Sequence, residues 1–177
     1  LPTYGLFDEG RFFAWGDSIE AFNTRFGRCG MLICEDFWHA SSPYMLWLDG
    51  ADLFLFASAS PGRGITLPPQ GSGPGRTESA RWVNDIIRAY AGIFTSFVIH
   101  TNRAGFEDGV NFWGGSSAYS PDGEALVNGP EHTETLVQAE LDLSQLHRTR
   151  ARLPLLRDER INLVQREITR ITESENE

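Results

Sequence analysis

The sequence predicts an α/β fold, a sheet with helices packed on one face. Three observations carry this. Two apolar runs of strand length, Gly30–Cys34 and Asp52–Ala57, flank a segment that opens with Ser42-Pro43 and stops at Gly50. A longer segment, Glu78–Ala91, carries Trp82, Ile86 and Tyr90 four residues apart, on one face of a helix. Beyond residue 95 the pattern becomes short apolar stretches around Pro121-Asp122-Gly123-Glu124, as in an antiparallel meander.

Taken in order, residues 10–16 read as a loop or a short extended piece. Ser18–Thr24 and Gly30–Cys34 read as strands, with a turn near Phe26–Arg28. Gly30–Cys34 is apolar throughout, as expected for a strand buried on both faces. Ser42 is the expected N-cap of the first helix, with Pro43 at its first position and Gly50 at its stop. Asp52–Ala57 is a second buried strand, and the Gly/Pro-rich residues 60–77 form a long loop. The Glu78–Ala91 helix ends at Gly92.

Thr95–Thr101 reads as a strand, Asn102–Trp113 as a loop and Ser116–Ser120 as a strand. In the turn at 121–124, Pro fixes φ and Gly supplies a positive φ. Leu126–Asn128 and Glu134–Leu141 continue the meander. Ser144 caps a short helix toward Arg152, and residues 160–172 form a weak amphipathic helix before an acidic end.

Composition narrows the function. The 177 residues suffice for one domain with a sizeable core. A formal net charge of −9 argues against nucleic acid as the main partner. The apolar runs fall short of a membrane span. All 15 basic residues are arginine, so a mechanism needing a lysine amine must find it outside these residues. The two cysteines, Cys29 and Cys34, are too few for a disulfide framework and five apart on a strand, which aims them to opposite faces. A reducing cytoplasm is the default location.

The chemistry concentrates in Ile33-Cys34-Glu35-Asp36-Phe37-Trp38-His39. A cysteine stands where a buried strand leaves the sheet, the position at which α/β folds present reacting groups. A sharp exit there exposes the sulfur and turns the following N–H groups toward a substrate oxygen. A buried, inert thiol is the plainer reading of any cysteine, and the one that suits Cys29. His39 is tempting as a base by its ordinary pKa. The remaining histidines lack metal-ligand spacing, and Glu107-Asp108 reads as a polar loop, so no metal site is expected.

With these residues in view, the sequence resembles the nitrilase superfamily of carbon–nitrogen hydrolases. The likeness rests on Leu1-Pro2-Thr3-Tyr4-Gly5-Leu6-Phe7-Asp8-Glu9, Ile33–Trp38, Ser58-Ala59-Ser60-Pro61, Asn102-Arg103, Gly114-Gly115-Ser116 and the turn at 121–124, in family order. The nearest branch is the glutamine-hydrolysing domain of glutamine-dependent NAD synthetase, with its stand-alone amidohydrolase relatives. The resemblance implies an α-β-β-α sandwich, incomplete at the N-terminus. Residues 1–152 would be the C-terminal part of the hydrolase domain and 153–177 a C-terminal arm of the kind that usually packs across a partner subunit, an intramolecular clasp being equally physical; a homo-oligomer is expected.

It also implies a Glu-Lys-Cys catalytic set of which only Cys34 is present, the lysine falling just upstream of Leu1 and the glutamate further upstream. Cys34 would attack a small-molecule amide or nitrile and form a thioester or thioimidate without any cofactor. The Glu35 backbone N–H is the expected oxyanion donor. Tyr4, Glu9, Trp38 and Ser60 are the expected substrate-binding or site-holding residues, and the family does not use a histidine at His39. The helix starting at Pro43 would favour the thiolate if its N-terminus faced the sulfur. Alone, these residues are expected to be inactive. Three functions follow: an amidase-type hydrolase, favoured because no ATP-binding segment follows, a glutaminase feeding ammonia to a synthetase, and a non-catalytic binding protein on the same fold.

Overall fold

The computed structural model describes residues 8–63, 65–66 and 76–174. The chain enters through a 3-10 helix, Asp8–Arg11, and reaches its first strand, β1, at Phe22–Thr24. Then come β2 (Gly27–Ile33), a 3-10 helix at Cys34–Trp38, α1 (Ser41–Leu48) and β3 (Leu53–Ser58). A short ladder, β4 (Ile65–Thr66) with β5 (Arg76–Thr77), precedes α2 (Glu78–Ile93) and β6 (Phe97–Asn102). After these come β7 (Ala104–Glu107), β8 (Val110–Trp113), β9 (Ser117–Tyr119) and β10 (Ala125–Asn128). The chain ends in α3 (Ser144–Arg152), α4 (Leu155–Asp158) and α5 (Ile161–Ser174).

Six strands form one sheet in the order β1-β2-β3-β6-β9-β10. Its centre is parallel, β2 to β3 to β6, because α1 and α2 carry the chain back between these strands. The flanking pairs are antiparallel; β1–β2 and β9–β10 are joined by short turns, and β6 reaches β9 through the β7–β8 segment. Both crossover helices lie on one face, where Leu46 and Trp47 of α1 and Ala80, Val83, Ile87 and Ala91 of α2 pack on Leu32, Phe54, Phe56 and Val98. Each fully buried Val or Ile there contributes about 1.5–3 kcal/mol. Gly30 lets α1 approach: a Cβ at that position would stand 2.8 Å from a Leu46 methyl carbon.

Among the described residues, the opposite face of the sheet is covered where Leu146 of α3, with Leu141 and Leu143 before it, packs on Cys29, Leu53 and Phe97 and their neighbours Leu55 and Ile99. Higher on that face Met31 is 50% and Ile33 62% exposed. The expectation of a strand buried on both faces is therefore corrected: β2 alternates, because no second layer lies over that end among the described residues. The described residues thus form one main sheet with α1 and α2 on one face, and part of its other face is apolar and exposed.

Other expectations are corrected locally. Ser18–Ala21 are not in a strand, and β1 is only three residues long. Helix α1 starts at Ser41 with Ala40 as its N-cap, so Ser42 lies inside the first turn, where Pro43 leaves no needed N–H unpaired. The buried stripe of α2 is Ala80-Val83-Ile87-Ala91, and Trp82 is 51% exposed. Its cap is Thr77, whose hydroxyl accepts the Ala80 N–H at 3.3 Å. The N-cap of helix α3 is Leu143, so Ser144 is its first residue, and Asp142 accepts both the N–H and the hydroxyl of Ser144. Residues 134–141 pair with no strand. The loop expected at 102–113 is instead the hairpin β7–β8, turned by Asp108 (φ 47°) and Gly109 (φ 80°), and Glu107 pairs with Arg103.

Candidate active site

Cys34 directly follows strand β2 and opens the 3-10 helix Cys34–Trp38, with φ 49°. A non-glycine residue in this region is strained and persists only where its surroundings hold it. Two hydrogen bonds and a ring contact hold it here. The Ile33 N–H donates to the Asp36 carboxylate at 2.8 Å, closing the turn around the cysteine. The Tyr90 hydroxyl of α2 donates to the Phe37 carbonyl at 2.9 Å. The Phe37 ring is fully buried and stacks on Phe56 at 5.0 Å between centroids.

The second wall comes from the end of β3. The Ser60 N–H donates to the Asn102 side-chain oxygen at 2.9 Å, and the Asn102 amide nitrogen donates to the Gly114 carbonyl at 2.8 Å. Asn102 thus fixes the Ser58–Pro61 turn against the strand beside it. Pro61 also bridges to Phe112 of β8, so the unexpected hairpin braces the same turn.

Cys34, Glu35, Trp38, His39, Ser60 and Trp82 line one cleft of about 460 Å³, with Pro61, Arg63, Val83 and the first-turn residues Glu78 and Ser79 of α2. The helix N-terminus at this cleft is therefore that of α2; the first turn of α1 is not part of its lining. Cys34 is partly exposed, whereas Cys29 is buried, and both are free thiols. Burial pushes the Cys34 thiol up from its ordinary value. The Ala59 N–H, the Glu35 N–H and the Ser60 hydroxyl bond to the sulfur and pull the other way, and the charge of Glu9 raises it further. The thiol is thus surrounded by donors ready for negative charge, but needs a base to ionise it.

Of the residues singled out from the sequence, Cys34, Glu35, Trp38 and Ser60 meet at this cleft, and Glu9 acts on the thiol by charge from the 3-10 helix Asp8–Arg11. Tyr4 lies outside the described residues. His39 is 3.5 Å from Glu35 and forms part of the lining. Sequence reasoning placed Glu78, Trp82 and Tyr90 only on a helix and Arg63 only in a loop, with no part in the site. His100, set aside from the sequence for want of metal-ligand spacing, packs edge-on to Phe37: it is 1% exposed, its nitrogens have no hydrogen-bond partner among the described residues, and burial lowers it from 6.5 to about 4. No group of metal-ligating side chains occurs among the described residues. Nor is any described helix long and apolar enough to cross a membrane.

Residues 2–151 match the carbon–nitrogen hydrolase family. The chain belongs to that family. Among solved structures, a carbon–nitrogen hydrolase from Helicobacter pylori G27 superposes with TM-score 0.74 and 27% identity, over 90% of this chain and 56% of that one. Among known proteins, N-carbamoylputrescine amidase from Arabidopsis thaliana is 26% identical over 92% of this chain and 55% of its own length. Glutamine-dependent NAD(+) synthetase from Acinetobacter baylyi is 29% identical over 82% of this chain and 24% of its own length. As a carbon–nitrogen hydrolase, the chain spans about half the length of the amidase and a quarter of the synthetase.

Proposed function

We propose that this carbon–nitrogen hydrolase chain carries the nucleophile of an enzyme that cleaves small-molecule amides through a thioester on Cys34. The supporting observation is the strained Cys34 at a strand end, with the Ala59, Glu35 and Ser60 donors around its sulfur and a cleft in front of it. The sulfur attacks the carbonyl carbon, and its proton passes to a general base. Negative charge builds on the carbonyl oxygen, which the Glu35 N–H receives; losing one such donor typically costs about 2.7–4 kcal/mol of barrier. The C–N bond breaks, the amine departs with a proton, and water then releases the acid and regenerates the thiol. Glu9, Trp38, Ser60 and Tyr4 shape the substrate site, and Asn102 and Tyr90 position the two turns. On a nitrile the same attack gives a thioimidate.

The base and the lysine of the family's catalytic set are proposed to come from polypeptide outside these 177 residues. The coding sequence upstream of Leu1 should then specify a lysine immediately before it and a glutamate further back. The purified 177-residue chain should turn over no amide, while the complete gene product releases ammonia from amides and loses that activity in Cys34→Ala. Ammonia release by the isolated chain, or unchanged release by Cys34→Ala, would refute the proposal. The likeness to NAD(+) synthetases keeps a second reading, a glutaminase domain serving a synthetase; it takes precedence if the coding sequence continues into an ATP-dependent domain.

A further inference from the structure

We infer that the Glu35 side chain sets substrate preference and selects amides whose far end carries a protonated amine. This rests on the amide-hydrolase reading above. While the backbone of Glu35 serves the sulfur, its carboxylate lines the same cleft. One carboxylate oxygen is 3.5 Å from His39 Nε2. The other, Oε2, is buried and has no hydrogen-bond partner among the described residues. A carboxylate oxygen withdrawn from water is destabilising until a donor reaches it. The terminal torsion of glutamate is broad, so the carboxylate is free to adjust to a donor in the cleft that Glu35 lines.

The rest of the lining suits one kind of ligand. Trp38, Trp82, Val83 and Pro61 offer apolar walls for a methylene chain, and indole faces attract cations. Glu78 adds a second carboxylate. The cleft's guanidinium, Arg63, belongs to an exposed residue, so a ligand carboxylate gains little there against water, while it meets the repulsion of Glu35 and Glu78. An ammonium supplies the donor that Oε2 lacks. An uncharged chain gains the apolar walls alone.

The test separates recognition from turnover by measuring binding to the Cys34→Ala form of the complete gene product. Three amides are titrated calorimetrically: 5-aminopentanamide, its uncharged isostere hexanamide, and 4-carboxybutanamide. The amino-amide should bind about tenfold or more tighter than hexanamide, and the acid weakest. Glu35→Gln should reduce the first ratio to about twofold or less. Glu35→Asp, with its arm one methylene shorter, should move the preference toward 6-aminohexanamide. Equal binding of amino-amide and hexanamide, tighter binding of the acid, no binding of any, or a ratio that survives both substitutions would overturn the inference. If the preference holds but the unsubstituted protein cleaves no amide, the hydrolase reading fails and the recognition site stands. If all amides are cleaved without preference, the hydrolase reading stands and this inference falls.

Discussion

The parallel strands β2, β3 and β6 end in two different environments. Where they begin, polar groups are matched. Asp52 accepts the Arg28 N–H at 3.0 Å and an Arg150 nitrogen at 2.6 Å, and Arg150 also donates to the Ala51 and Thr95 carbonyls and the Ser96 hydroxyl. Cys29 lies there, 4% exposed, packed with Leu146. Where the strands end, Cys34 is strained, and Glu35 Oε2, both His100 nitrogens and the Ser58 and Ser117 hydroxyls lack hydrogen-bond partners among the described residues. Both ends hold a strained residue, Thr95 (φ 47°) where the strands begin and Cys34 (φ 49°) where they end, but only Cys34 stands next to the cleft, with those unmatched polar groups around it. Such violations of local rules gather where chemistry is done.

The largest expected break in this comparison is at the nucleophile. Cys34→Ala in the complete gene product should lower amide turnover by about 10³ or more, with little change in its denaturation midpoint. Next is His100. Its folded-state pKa of about 4 lies below the ordinary 6.5, so the unfolded chain binds the proton more readily between those values. Stability from this group is therefore fully present above pH 6.5 and lost as pH falls through 4, by about 3 kcal/mol in all. Denaturant unfolding at pH 7 and pH 4 should show this fall, and His100→Phe, which suits its aromatic neighbours, should remove that part of it. Third, iodoacetamide should label Cys34 about 100-fold faster than Cys29 in the folded protein, at a rate still rising above the ordinary thiol pKa, and the difference should vanish in denaturant. Smallest is the clasp at the strand beginnings: Arg150→Ala should cost about 2–3 kcal/mol of stability and leave Cys34 labelling unchanged.

Much of this was legible in the sequence. The strands around Cys34 and Asp52–Ala57, the helix after Glu78 and the turn at 121–124 all follow from periodicity and turn chemistry, because each is fixed by neighbours within a few residues. The hairpin β7–β8 was also written there, in Asp108-Gly109, but Gly105 in its first strand masked the alternation around it. What periodicity could not reveal is contact at long range. Tyr90 reaches Phe37 across 53 positions and Asn102 reaches Ser60 across 42, and no local pattern announces either. The N-caps Ala40 and Leu143 lie two residues and one residue before the expected serines; neither has a capping side chain, so nothing in the residue types marks them.

The central claim is that one sulfur at the strand ends bonds to carbon. Intact-protein mass spectrometry of the complete gene product, quenched in acid during turnover of an amide, tests it most directly. The account predicts a mass increase equal to the substrate's acyl group, located to Cys34 by peptide mapping and absent from Cys34→Ala. Continued turnover with the acyl group on another residue, or with an unmodified Cys34 that can be replaced without loss, would contradict it.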